Sequence, residues 1–314
     1  MDCKITRKRL GELFSYEWIA MIIVFLIAIF LWSFVFQVSS VRVTRGQTFK
    51  YYVDSVVKDY NIEDFNKFLV EDEALSFSII KFDREAIEAD NSVLDTRLKI
   101  HDGDLIFSAD SNEKDERSRA KSLVDVYEIY DFGSLIKESK EYISSFYTGD
   151  VLDDSKIEEI FLNRTKKDNR FRSNEEKAQG IILEKQRILD LKKHTECFEW
   201  LMNEHPEIFF TYTRHSQQQK LSVSAEEADF YKELVDKEIE LGRQNAFYGI
   251  NLKKLTSVTG KSPIGNYFVT RNNTHDLVLM AFDFKEYQEH EQFEVISFMN
   301  TIIDNCSDLY EGKL

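Results

Sequence analysis

Proline is nearly missing from this chain, at two residues in 314. Glycine is scarce at eleven and cysteine at three. So little Pro and Gly excludes collagen-like repeats, Pro-rich spacers and low-complexity disorder. Three cysteines do not make a disulfide scaffold of the kind small secreted domains use. Positive charge is also short: 41 Lys and Arg stand against 56 Asp and Glu, a formal net charge of −15. Such a surface repels phosphate backbones and anionic lipid, which argues against nucleic acid as a partner. No P-loop, G-x-G-x-x-G or G-x-S-x-G occurs, so the common nucleotide sites and the nucleophile-elbow hydrolases have no support. Internal repeats are missing as well.

What is present begins with one long hydrophobic run, Trp18 to Phe36, whose only hydroxyl is Ser33 and which carries no charge. As a helix it spans about 28 Å, close to the ~30 Å hydrocarbon core of a bilayer. A buried core helix would carry a polar face, and this run has none. A signal peptide would have a shorter apolar region and a small-residue cleavage site, and Gln37-Val38-Ser39-Ser40-Val41-Arg42 offers no clean one. The run therefore reads as a retained single-pass anchor. Lys4, Arg7, Lys8 and Arg9 precede it, while Arg42, Arg45 and Lys50 are sparser beyond it. The positive-inside rule puts the N-terminus in the cytoplasm of a cell-membrane protein and the C-terminal bulk outside. The expected division is a basic tail over residues 1–17, a membrane helix over 18–38, a connector over 39–47 and an extracytoplasmic domain over 48–314.

With 25 Phe and 14 Tyr, that domain has ample aromatic surface to bury in a core. Thr48 to Val53 alternates as a strand. Ile62 to Leu69 has helical spacing, Leu75 to Phe82 strand character, Ala86 to Ile100 helical spacing, and Leu105 to Ala109 is a short apolar strand. Strand, helix, strand, helix, strand predicts parallel βαβ units and an α/β fold with a doubly wound sheet. Ser111 to Lys121 reads as a solvated excursion, Leu123 to Tyr130 as a further strand and Phe132 to Phe146 as a helix. The middle turns helical: a helix opens at Ile157, and another runs from Asn174 to Asn203 behind Ser173 as N-cap, with Glu176 completing a capping box. Ala225 to Leu241 is a further helix that stops at Gly242. Leu277 to Phe282 is a buried-type strand and Phe293 to Ile303 a last helix. Lobe 1 is thus expected over about 48–150, a helical lobe over about 151–245 and a return segment over about 246–314.

Sites of chemistry are few. Asp102-Gly103-Asp104 matches the D-x-D by which many glycosyltransferases hold a metal–nucleotide, and a membrane-anchored glycosyltransferase is one alternative. The pair precedes a strand, however, whereas ligand-holding carboxylates work at strand C-termini. His194 and Cys197 are three apart on one helix with Glu199 close by, yet the remaining histidines show no ligand-type spacing to complete a zinc site. No metal and no other cofactor is implied. Cys197 and Cys306 share the outer compartment and read as two free buried thiols, with a bridge between them as the alternative. The basic loop from Arg164 to Arg172 reads as a solvated helix connection.

The run from Val93 to Tyr142, containing LDTRLKIHDGDLIFSAD and then LVDVYEIYDFGSLIKESKEY, resembles the first lobe of extracellular solute-binding proteins of bacterial ABC transporters. Tyr248-Gly249-Ile250-Asn251-Leu252 and the segment from Leu277 to Ile303 are similar to that family's late turn, strand and closing helix. The likeness lies in patches and is closest to membrane-anchored, divergent relatives. It implies a two-lobed, periplasmic-binding-protein-like fold with a sugar or peptide in the cleft, permease subunits of a sugar-type ABC transporter as partners, and no catalysis. Ligand-binding groups would then follow strands: Asp54, Asp110 and Ser111 first, then Tyr130 and Asp131. The uncleaved anchor and the long helical middle, about 155–242, depart from the family pattern. A third reading is a structural cell-envelope protein without a small ligand.

Overall fold

A computed structural model gives the fold. It describes residues 11, 18–39, 47–70, 77, 79–87, 92–100, 102–111, 118–166, 168–212, 246–259, 264–283 and 294–303. The chain divides into two units, residues 1–42 with 168–172, and residues 43–167 with 173–314. In the first unit, helix α1 (Trp18–Ser39) exposes apolar residues all round. Among the described residues it is the one helix long and apolar enough to cross a membrane.

The second unit is a mixed α/β domain built on one six-stranded sheet. In chain order its elements are β1 (Thr48–Asp54), β2 (Val57–Asp59), α2 (Ile62–Val70), β3 (Lys81–Ile87), α3 (Ser92–Lys99), β4 (Leu105–Ser111), α4 (Arg119–Val126) and α5 (Phe132–Ser144). Next come the hairpin β5 (Tyr147–Thr148) and β6 (Val151–Leu152), α6 (Asp154–Arg164), α7 (Asn174–Glu204) and β7 (Phe209–Tyr212). The chain finishes with β8 (Ala246–Asn251), α8 (Leu252–Thr259), β9 (Phe268–Thr270), β10 (His275–Ala281) and α9 (Glu294–Ile302). The main sheet has the order β3-β1-β4-β10-β8-β7. Strands β3, β1 and β4 are parallel, while β10 pairs antiparallel with both β4 and β8.

Alternation along the strands feeds two cores. Phe49, Tyr51 and Val53 of β1, with Leu105 and Phe107 of β4, face one side, where Phe65 of α2 and Phe298 of α9 pack. Tyr52 and Ile106 face the other side with Leu94 of α3 and Leu123 of α4. The crossovers β1–α2–β3 and β3–α3–β4 therefore cover opposite faces, the doubly wound arrangement the βαβ pattern predicts. The helical middle packs on the same sheet: Leu191, Phe198 and Leu201 of α7 share the core of Phe49 and Phe107. The described residues of the second unit thus pack in layers around one main sheet.

That helical layer contains a charged cluster inside an apolar core. Arg187 of α7 donates to Glu184 at 2.8 and 3.1 Å, to Glu294 of α9 at 2.6 Å and to the Tyr142 hydroxyl of α5 at 2.9 Å. Arg164 of α6 pairs with Glu184 from the other side. Arg187, Glu184 and Glu294 are all buried, so four helices are tied through charges that compensate one another.

Several boundaries differ from the sequence reading. The strand expected over Leu75–Phe82 is β3 at Lys81–Ile87, with residues 71–76 and 78 outside the described set. It is an edge strand whose outward residues are charged, Arg84 to Asp59 and Glu85 to Lys50, so apolar alternation misses it. Leu123–Tyr130 is not a strand: Ser118 caps α4 by accepting from the Lys121 N–H, and Ala120, Leu123 and Val124 supply a helical stripe. Only Ile129 keeps a β-bridge, to Phe282. The helix expected over Ala225–Leu241 lies outside the described residues.

Candidate functional site

Strand β1 ends on Asp54, which is 1 % exposed. Its carboxylate accepts from the Ser108 hydroxyl of β4 at 2.9 Å and from Arg119 Nε of α4 at 2.8 Å. Alternation puts Asp54 and Ser108 on the same face, and the N-cap at Ser118 starts α4 so that Arg119 lies in its first turn. The C-terminal ends of β1 and β4 flank the point where successive crossovers leave the sheet in opposite directions. In open α/β sheets that is where the chain leaves a crevice for a ligand. Asp54 sits at that point.

Beside it a crevice of 480 Å³ opens above β1 and β3, lined by Asp54, Lys58, Asp59, Tyr60, Arg84 and Arg271 among others. Its volume lies in the range of small-molecule sites. The β2–β9 ladder forms one wall, with Val57 opposite Thr270 and Asp59 opposite Phe268. Arg84 of β3 lies 2.6 Å from Asp59. Further along the same sheet end, Asp276 of β10 pairs opposite Asp110 of β4 and accepts from Asn251 at 2.9 Å and Lys253 at 3.0 Å. Asp110 is 3.5 Å from Lys121. Ser111 is buried and lies opposite His275. Three of the expected residues, Asp54, Asp110 and Ser111, are thus gathered at one end of the sheet.

Tyr130 and Asp131 are not with them. The Tyr130 N–H donates to Ala281 O, and Ala281 pairs with Leu105, which places both residues at the opposite end. Asp131 is the N-cap of α5, accepting from the Gly133 and Ser134 N–H groups at 3.3 Å. Burial, then Asp283 and Glu138, push the Tyr130 phenol up, so it stays a neutral core group. The D-x-D pair lies at that end too. Asp104 accepts from the Lys50 N–H at 2.7 Å, and Asp102 accepts from Lys50 Nζ at 2.9 Å. Lys50 also meets Glu85 at 2.8 Å. Burial works to lower the Lys50 pKa, but Asp102 and Glu85 outweigh it and hold the ammonium above its ordinary value. Both carboxylates are committed to strand pairing and to a cation. Gly103 between them has φ +142°, and a Cβ there would meet the Tyr52 ring at 2.2 Å.

His194, Cys197 and Glu199 also separate. His194 Nδ1 lies 3.2 Å from Ser297 Oγ, and Glu199 pairs with Lys140. Cys197 is disulfide-bonded, which corrects the expectation of a free thiol there; Cys306 lies outside the described residues. Among the described residues no group of three or more His, Cys, Asp or Glu could hold a metal. Arg170 of the basic loop pairs with its neighbour Asp168 at 2.8 Å.

Sequence reasoning missed Ser108, Arg119, Lys58, Arg84 and Arg271. Arg119 lay in a charged run read as solvent-facing, and the Ser118 cap was the available sign of a helix there. Lys58 sits on, and Arg271 directly follows, a three-residue ladder too short for periodicity to reveal. Comparison with known protein families, curated proteins and solved structures gives no match.

Proposed function

We propose that this chain is a single-pass, membrane-anchored binding or accessory protein whose ligand occupies the crevice beside Asp54 at the C-terminal end of the parallel strands. One observation carries the reading: a buried carboxylate ends the central parallel strand at the crossover reversal and opens onto a 480 Å³ crevice with polar walls. Asp54 is already held by Ser108 and Arg119, so it serves as a fixed floor, and the groups on the β2–β9 ladder do the contacting. The sequence likeness to solute-binding proteins supports a sugar or peptide as ligand and a transporter permease as partner. A two-lobed cleft is the finer form of this reading.

The disulfide at Cys197 supports an oxidising compartment for the domain, in keeping with an N-terminus in the cytoplasm. The test is thermal denaturation of the full chain in detergent micelles against a panel of neutral sugars, acidic sugars and peptides. A ligand should raise the midpoint, and Asp54→Asn should reduce the rise. A panel without any stabilisation refutes ligand binding.

A further inference from the structure

The crevice carries two cations that the fold leaves uncompensated. Lys58 on β2 lies opposite Val269, and Arg271 follows β9, its N–H donating to Val56 O at 2.8 Å. In that register Lys58 and Arg271 are diagonal neighbours on one face of the ladder, positions about 7–8 Å apart. Both side chains are exposed and both line the crevice. Among the described residues neither side chain has a hydrogen-bond or ion-pair partner.

The other charges of the crevice are matched, Arg84 by Asp59 at 2.6 Å and Asp54 by Arg119 at 2.8 Å. A surplus of two positive charges thus sits in a concavity of a chain whose net charge is −15. Like charges held side by side on a ladder repel, and an anion between them removes the cost. Carboxylate and phosphate oxygens suit both groups, since guanidinium and ammonium each form charge-assisted hydrogen bonds to them.

We infer that this crevice binds the oxyanion of a small soluble ligand, a carboxylate or a phosphate, through Arg271 and Lys58. The inference rests on the binding reading above and narrows it from sugars and peptides in general to anionic ones. Arg271 supplies a fork for two oxygens and Lys58 a point charge, so Arg271 dominates the affinity.

The experiment is titration calorimetry on the full chain in uncharged-detergent micelles, with inorganic phosphate, glucuronate, glucose and a neutral peptide as separate probes. At least one anion should bind, and its affinity should fall as salt rises from about 50 to about 200 mM, because the contacts are exposed. Arg271→Gln should weaken it about tenfold and Lys58→Gln about fivefold, in line with the loss of one charge-assisted contact each. Lys67→Gln, on the exposed face of α2, should leave it within about twofold. Binding of phosphate without glucuronate, or the reverse, identifies which oxyanion the crevice takes. If neither anion binds while glucose or the peptide does, the anion inference is overturned and the binding reading stands. If no probe binds, both are overturned. Anion binding that survives both Arg271→Gln and Lys58→Gln also overturns the inference.

Discussion

Glu184→Gln probes the buried ion cluster that ties α5, α6, α7 and α9 together. Burial alone pushes the Glu184 carboxyl up, but Arg187 and Arg164 beside it overcome that and hold its pKa at about 2, below an ordinary 4.5. A displacement of that size corresponds to about 3 kcal/mol of folding stability at neutral pH. The group is buried, so solvent screening takes little from this figure. Glutamine keeps the shape but leaves Arg187 facing Glu294 alone and takes the carboxylate from Arg164. The loss should therefore be about 3 kcal/mol, which for a domain of this size lowers the melting midpoint by roughly 6–12 °C. The pH dependence has a definite sign. A carboxyl with a depressed folded pKa stabilises fully above its unfolded value, and the contribution fades as pH falls from about 4.5 toward about 2. Differential scanning calorimetry of the full chain in micelles, at pH 7 and in steps down to pH 3, checks both points. The variant should melt lower at pH 7 and lose less on acidification than the wild type. A variant within about 1 °C of wild type at pH 7, or one with an unchanged acid profile, refutes the account of the cluster.

Three further outcomes follow from the geometry. Gly103→Ala drives a Cβ into the Tyr52 ring at a backbone angle that L side chains rarely adopt, and should cost about 2–4 kcal/mol by chemical denaturation. Asp54→Asn removes the charge facing Arg119 and should cost about 1–3 kcal/mol, with the helical layer undisturbed by circular dichroism. A peptide map of the unreduced chain should show Cys197 joined to Cys306, since Cys3 lies on the other side of the apolar helix in sequence; a free thiol at Cys197 after blocking would contradict the disulfide.

How much could be read from the sequence depends on where each signal lies. The long apolar helix, β1, α2, β4, α5, α7 with its capping box, β10 and α9 are legible because their apolar spacing or caps are local. Strand β3 is hard to place from sequence because an edge strand covers one flank with charge, and α4 mimics a strand because Val124 and Val126 alternate. The site divided along the same line. Asp54, Asp110 and Ser111 follow strands, and strand ends can be counted along a chain. Arg119, Lys58 and Arg271 reach the site only through tertiary pairing: residues 57–59 meet 268–270 across most of the domain sequence. No local pattern encodes that meeting. Tyr130 and Asp131 failed for the converse reason, since the chain leaving Ile129 runs beside the far end of β10.

The insertion of β10 between β4 and β8 sets a schedule for biogenesis. Strands β3, β1 and β4 are made early, yet Leu105–Ser111 finds its partner only when His275–Ala281 has been synthesised. Until then the open flank of β4 exposes unpaired N–H and C=O groups beside Ile106 and Phe107, a surface that invites pairing with other chains. A chain whose first helix is held at a membrane would face that hazard at the site of its own emergence. Chaperone dependence during synthesis, and aggregation of truncations ending before residue 275, are the costs this strand order carries.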